Sequence, residues 1–221
     1  MPQNKTLILG NKILVKIDES YPEFSSNNYK VSEHTLDIVV EAIANNSINL
    51  PLNWKPPEGI ETAIETFVGY LLLDAWIGNT DRHHENWGFI VNNLVNLEAN
   101  LAPTFDHASS LGRELLDSKK QNQINNKIVK NYAAKSRSAI YDKIGDKKAM
   151  LTLDVFEKAA QKYPQAALIW LQNLANISAE DTLSLFERIP KNYISEISIE
   201  FAQTILTINQ NRLLQIRENL Q

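Results

Sequence analysis

Apolar and polar positions divide the chain into a mixed first third, a long apolar stretch in the middle and a second half patterned as helix. Near the start, I-L-V-K-I, the end of the run from Lys12 to Ile17, reads as a short strand, followed by a turn around residues 21–28. From Ser32 to about Ala44 the positions Leu36, Val39, Val40 and Ile43 recur at helical spacing, and Ser32 is a good N-cap. The segment from Leu50 to Gly59 holds three prolines and cannot be helix, so it reads as an extended connector with Leu50, Leu52 and Trp54 buried. Ile60 to Ile77 is apolar on nearly every face, which predicts a buried helix stopped at Gly78. Gly88 to Val91 and Glu98 to Leu101 then predict two short strands joined through Asn92 and Asn93.

The second half predicts four helices. Asp154 can cap one that reaches Lys162, Tyr163 to Leu174 supplies another, and S-A-E-D from Ser178 opens a third with a capping box. The last runs from about Ser195 to Leu220 with Ile197, Phe201, Ile205, Ile208, Leu213 and Ile216 as its core stripe. No internal repeat is visible.

Between the central helix and the strands lies the polar run N-T-D-R-H-H-E-N-W, from Asn79 to Trp87, and after the strands comes P-T-F-D-H-A-S-S-L-G, from Pro103 to Gly112. Moving a phosphoryl group from a nucleotide requires a carboxylate to orient the acceptor hydroxyl, an amide oxygen for one magnesium and a second carboxylate to hold magnesium against the phosphates. Asp81, Asn86 and Asp106 fit these duties in that order. A D-x-x-x-x-N spacing by itself describes an ordinary turn, because Asp and Asn side chains satisfy turn backbone. The second Asp and the intervening strands make the pattern more specific. Zinc chemistry is a weak competitor: His83 and His84 are adjacent on an irregular loop, and no H-x-x-x-H spacing puts two histidines on one helix face. Ser109 and Ser110 lack a G-x-S-x-G elbow and are expected to bond the backbone after Asp106. Arg82 and Glu85 are expected to form a local ion pair or else to face substrate, His84 and His107 to brace the loops, and His34 to be a partly exposed helix residue. Trp76, Trp87 and Phe105 would form the apolar bed beneath the two motifs.

The residues D-A-W-I-G-N-T-D-R-H-H-E-N-W, Asp74 to Trp87, with L-A-P-T-F-D-H-A-S-S-L-G, Leu101 to Gly112, and K-S-R-S-A-I-Y, Lys135 to Tyr141, closely resemble the HipA-like serine/threonine kinases. The resemblance implies a mainly α, protein-kinase-like large lobe with a short β-hairpin carrying the catalytic motifs. It also implies ATP and magnesium as cofactors and a protein serine or threonine as substrate. Asp81 matches the catalytic-loop Asp, Asn86 the metal-binding Asn, and Asp106 the metal-binding Asp, here followed by His107. His83 takes the place of a phosphate-facing Lys, in a supporting role. Kinases of this family are often paired with an antitoxin.

A complete kinase of this kind has a small β-rich lobe with a phosphate-covering loop and a strand lysine. Only Gly10 and Gly59 precede Ile60, and no glycine-rich loop is visible, so neither Lys12 nor Lys16 is a convincing nucleotide lysine. The expectation is one domain over residues 1–221, with residues 1–30 a remnant linker to a small lobe that is largely absent or supplied elsewhere. Two other readings stay open: a catalytically inactive remnant acting as a binding or regulatory module, and a small-molecule phosphotransferase of the lipid-kinase or aminoglycoside-kinase type.

Composition adds limits. With 221 residues, 43% of them hydrophobic, the chain suits one substantial core. The absence of cysteine removes disulfide and thiolate chemistry, and no apolar run approaches the ~20 residues needed to cross a bilayer, so a soluble cytoplasmic protein without membrane contact is expected. Net charge is -4, yet Arg113 to Lys148 holds ten Lys or Arg against four Asp or Glu. This basic stretch reads as a solvated helix face, with a loop in the Asn-, Gln- and Ser-rich part around Asp117 to Asn126, or as a surface for an acidic, phosphorylated or RNA-containing partner. With only Tyr132 and Tyr141 as aromatics in this stretch, direct nucleic-acid binding is not expected.

Overall fold

A computed structural model describes residues 4–27, 30–45, 47–92 and 98–220. The described elements run β1 (Lys5–Leu9), α1 (Gly10–Ile17), α2 (Leu36–Ala44), α3 (Ala63–Ile77), β2 (Gly88–Asn92), β3 (Ala99–Leu101), α4 (Asp117–Asn125), α5 (Val129–Ala133), α6 (Thr152–Lys162), α7 (Pro164–Ala175), α8 (Ala179–Glu187) and α9 (Glu196–Leu220).

The central helix α3 starts with a full capping box. Thr62 accepts from Glu65 N while Glu65 returns a bond to Thr62 N, satisfying backbone donors that a helix start otherwise leaves open. It ends at Gly78 with φ 64, a left-handed cap that glycine adopts without strain. The expected start at Ile60 shifts inward because Pro57 and Gly59 hold the preceding turn and Thr62 offers the better cap. α3 packs against α2, α6, α7 and α9, with Phe67, Val68, Leu71 and Ala75 buried in the main core.

The sheet has three antiparallel strands in the order β1-β2-β3, rather than the two of a hairpin. Leu9 pairs with Gly88 and Phe89 with Leu101. The expected strand over Lys12 to Ile17 is the helix α1; the strand is the preceding K-T-L-I-L. Ile13, Leu14 and Ile17 suit either element on propensity. Burial of Gly10, Asn11, Ile13 and Leu14 on one helical face decides between them. Residues 5–17, expected to belong to a remnant linker, are therefore built into the fold. The expected joint through Asn93 lies outside the described residues.

Other expectations shift by a few residues. α2 starts later, capped by Thr35 rather than Ser32. α6 starts earlier, after Leu151 rather than at Asp154. The Ser178 capping box forms with Asp181 as its partner. Trp54 is exposed and stacks on Trp170 at 6.4 Å, while Leu50 and Leu52 are half-buried. Asn49 bonds the outer edge of β3, which covers that edge. α9 spans two apolar clusters: Leu213 and Ile216 join the main core, and Phe201 and Ile205 form a smaller one with Val129. No described helix is long and apolar enough to cross a membrane.

Candidate active site

The polar run after α3 is a short irregular loop held from below by the end of that helix. Asp74, in the last turn, is almost fully buried in an otherwise apolar segment. Its Oδ2 accepts from Arg82 Nε at 2.7 Å, and its Oδ1 accepts from Arg82 Nη2 and Asn79 Nδ2, each at 2.8 Å. Arg82, with no exposed surface, also donates through Nη1 to Asn86 O and through Nη2 to Thr104 Oγ1 at 2.8 Å, and Nη2 lies 3.3 Å from His107 Nε2. Burial opposes the charge on Arg82, but the facing Asp74 carboxylate more than offsets it, and its pKa is raised. One guanidinium thus ties together the helix end, the backbone of Asn86 and the segment carrying Asp106.

That segment is joined to the loop at further points. Thr80 N donates to Ser109 O at 3.0 Å, Ser109 Oγ lies 3.4 Å from Asp81 Oδ2, and Leu111 N donates to Ile77 O at 3.0 Å. Thr104 Oγ1 donates to His107 Nε2 at 2.7 Å while accepting from Arg82. The imidazole must be neutral for this arrangement, and burial, followed by the Arg82 charge, lowers its pKa. Ser110 Oγ donates to His107 O at 2.7 Å, the backbone role expected for it.

A second buried network supports the loop from the β1–α1 side. Gly10 N donates to Trp87 O at 2.9 Å and Asn11 N to His84 O at 2.8 Å. A Cβ at Gly10 would collide with the Trp87 ring and His84 O. Tyr21 Oη and His84 Nδ1 are 2.9 Å apart, and Trp87 Nε1 donates to His34 Nε2 at 3.1 Å. His34, expected to be partly exposed, is fully buried. It donates through Nδ1 to Ala139 O at 2.9 Å, and burial brings its pKa down to about 3.

On this base the structure places the expected functional residues as follows. Asn86 is buried and its Nδ2 donates to Asp81 O at 2.8 Å, so its amide oxygen points away and accepts no hydrogen bond among the described residues. Asp81 Oδ1 is buried without a hydrogen-bond partner, 3.4 Å from His83 Nε2. Asp106 is exposed at φ 54, a left-handed conformation costly for a side chain other than glycine, Asn or Asp. Its carboxylate makes no hydrogen bond or ion pair among the described residues. Asp81, His83 and Asn86 are in mutual reach. Asp106 is brought alongside through Thr104, His107 and Ser109 rather than by any direct bond to them.

The donor set fits magnesium: an amide oxygen and a carboxylate, both without protein partners, presented by two segments that Arg82 locks together. A magnesium site of this sort uses one or two protein oxygens plus phosphates and water. Among the described residues no three His, Cys, Asp or Glu side chains group as a transition-metal site would need.

Arg82 and Glu85 do not form the expected local pair. Arg82 goes to Asp74, and Glu85 Oε1 accepts from Asn11 Nδ2 at 3.2 Å. The role of Asp74 was missed, although its signal is in the sequence: a carboxylate inside L-L-L-D-A-W-I, on a helix buried all round, requires a buried cation.

Comparison with protein-family models and with curated proteins finds no match. Among solved structures, the chain is similar to the crystal structure of a Helicobacter pylori proinflammatory kinase, CtkA. The TM-score is 0.67 at 19% sequence identity, covering 99% of this chain and 72% of that one. The chain therefore has a kinase-like fold.

Proposed function

We propose that the chain is the large lobe of a HipA-like kinase and carries out ATP- and magnesium-dependent phosphoryl transfer to a serine or threonine of a protein. The observation that carries this reading is the set of oxygens on Asp81, Asn86 and Asp106 that have no hydrogen-bond partner, held on two segments by one buried Arg82. Asp81 Oδ1 is the buried one of these, and native proteins rarely leave a buried polar atom unpaired without a use for it. Asn86 and Asp106 would hold magnesium, which supplies neutralisation of phosphate charge. Asp81 accepts the hydrogen bond of the acceptor hydroxyl and takes its proton as the oxygen bonds to the γ-phosphorus and the bond to ADP breaks. His83, beside Asp81 Oδ1, steadies that carboxylate.

The nucleotide cradle is completed by a small lobe from another polypeptide segment. Lys12 and Lys16 both lie on helix α1, so neither serves as the strand lysine that pairs with phosphate. Leu7, Ile17 and Phe24 are exposed around α1 and offer apolar surface to such a lobe or to an antitoxin.

The test is isothermal titration of magnesium-ATP, with radiolabel transfer to proteins and to small alcohols, in the presence of the small-lobe partner. Asp106→Asn should weaken magnesium-dependent ATP binding by about tenfold or more, since an amide loses the charge that holds a hard cation. Asp81→Ala should leave affinity nearly unchanged and reduce turnover by roughly 10²–10⁴-fold. Equal loss of affinity in both would overturn the separate roles. Failure of the unsubstituted chain to bind ATP would favour an inactive binding module, and transfer only to small alcohols would favour a small-molecule phosphotransferase.

A further inference from the structure

Immediately beyond Ser109 the surface opens into a cavity of about 630 Å³. One wall is the continuation of the Asp106 segment, Ala108 to Arg113, with the start of α4. The other is the α8–α9 connection from Lys191 to Ser198. Arg113, Lys120 and Lys191 line it against a single carboxylate, Asp117.

The polar groups in this cavity are organised. Lys120 is 94% buried at only 6% exposure, and its Nζ donates to Ser198 Oγ at 2.7 Å. Ser198 Oγ in turn donates to Asp117 Oδ1 at 3.1 Å and accepts from Ser195 Oγ at 2.9 Å. Asp117 is thereby occupied, and bonds from Ser195 and Ser198 lower its pKa. An ammonium has three donors, so Lys120 keeps capacity for a ligand, while Arg113 and Lys191 are exposed at the rim. Phe186 and Tyr193, the latter 79% exposed, add apolar wall.

We infer that this cavity binds a phosphoryl group on a protein, a phosphorylated serine or threonine a few residues from the acceptor hydroxyl. Three cations and the Asn192 amide suit a group with about two negative charges and three acceptor oxygens; a carboxylate would use only part of them. Polynucleotide binding would need cations spread along a track with repeated stacking platforms. Here the cations converge on one cavity, in a chain of net charge -4. The cavity continues directly from the segment whose Ser109 contacts Asp81, which places a ligand's neighbouring residues toward the candidate active site. Assigning the ligand to a kinase substrate rests on the proposed function; binding of the phosphoryl group does not.

The experiment is fluorescence anisotropy of the full chain with labelled heptapeptides identical except for a central Ser, Glu or phosphoserine, and with a labelled single-stranded oligouridine. The phosphoserine peptide should bind at least about tenfold more tightly than the Ser peptide, with Glu between. Arg113→Glu with Lys191→Glu, both at exposed positions, should remove that preference and leave magnesium-ATP affinity unchanged. Asp106→Asn should bind the phosphopeptide as the unsubstituted chain does. Equal binding of Ser and phosphoserine peptides, equal binding of Glu and phosphoserine, retention by the double variant, or tighter binding of oligouridine would each overturn the inference. Intact phosphopeptide binding in a chain that never binds ATP would sink the kinase reading and leave the pocket standing.

Discussion

The loop from Asn79 to Trp87 and the basic stretch from Arg113 to Lys148 are both polar in sequence, yet the fold treats them in opposite ways. In the loop the charged and polar groups are turned inward. Arg82, His84 and Asn86 are buried with named partners, and only a few oxygens on Asp81, Asn86 and Asp106 remain uncommitted. In the basic stretch most cations face solvent; its first part rests on the small cluster around Val129, Phe201 and Ile205, and its later part on the buried Ala139 to Tyr141, of which Ile140 belongs to the main core. The first region spends burial on fixing geometry to a fraction of an ångström, which phosphoryl transfer requires. The second keeps exposed charges available for a partner, which recognition by charge tolerates.

The sharpest way to break this contrast is to remove the charge beneath the loop. Asp74→Ala leaves Arg82 buried without its carboxylate and should destabilise the chain by about 3–5 kcal/mol in urea melts. Replacing both partners, Asp74→Leu with Arg82→Met, should cost less, because no lone charge stays buried. The double variant should still lose nucleotide affinity, since Asn86 and the Asp106 segment are no longer tied together. If it keeps full affinity, Arg82 is a stabilising residue only and the contrast fails.

The histidines give a pH test with a definite sign. Burial lowers the pKa of His34 to about 3, and burial also lowers those of His84 and His107. In the unfolded chain each titrates near 6.5, so below that pH the unfolded state takes up protons that the folded state refuses. Stability is fully present above about pH 6.5 and falls as pH drops toward the folded pKa values, by up to about 1.4 kcal/mol per pH unit for each histidine. Asp37, Asp142 and Asp181, whose pKa values are lowered by their partners, act only below about pH 4. Urea melts between pH 7.5 and 5 should therefore weaken steadily, and a flat profile would mean the loop histidines are not held neutral.

Gly10→Ala probes the same region from the β1–α1 side. Its Cβ would strike the Trp87 ring and His84 O, so the expected cost is about 1–3 kcal/mol, with the loop displaced. Gly145→Ala is the contrasting change in the basic stretch. A Cβ there meets nothing within 4 Å, leaving only the strain of its φ of 86, and a smaller loss is expected.

Much of this organisation was legible in sequence where one physical rule dominates. α3 ends where Gly78 stops it, the Ser178 box forms, and the stripe along α9 is buried at Phe201, Ile205, Leu213 and Ile216. Residues 5–17 were misread because I-L-V-K-I has no periodicity long enough to separate strand from helix, and pairing with β2, from Lys5 with Asn92 to Leu9 with Gly88, is too distant in sequence to be visible locally. At the site, residue types pointed to Asp81, Asn86 and Asp106. The Thr104 partner of Arg82 and the Ala139 partner of His34 did not follow, because they approach only after folding, whereas the need of Asp74 for a buried cation was legible in its apolar surroundings.

The smallest expected effect separates two kinds of cation inside the basic stretch itself. Arg113→Glu, at an exposed position, should change stability by no more than about 0.5 kcal/mol. Lys120→Met is different, although it lies only seven positions on. Lys120 is buried between α4 and α9 and bonds Ser198, which also serves Asp117 and Ser195. Its loss removes a charge-assisted bond but leaves an apolar stem of similar length in place, so a cost of about 1–2 kcal/mol is expected. Thermal melts of the two variants side by side decide the point. Equal, negligible losses would show that the Lys120 network does not organise the cavity, and the basic stretch would then be uniformly loose rather than built around one fixed cation.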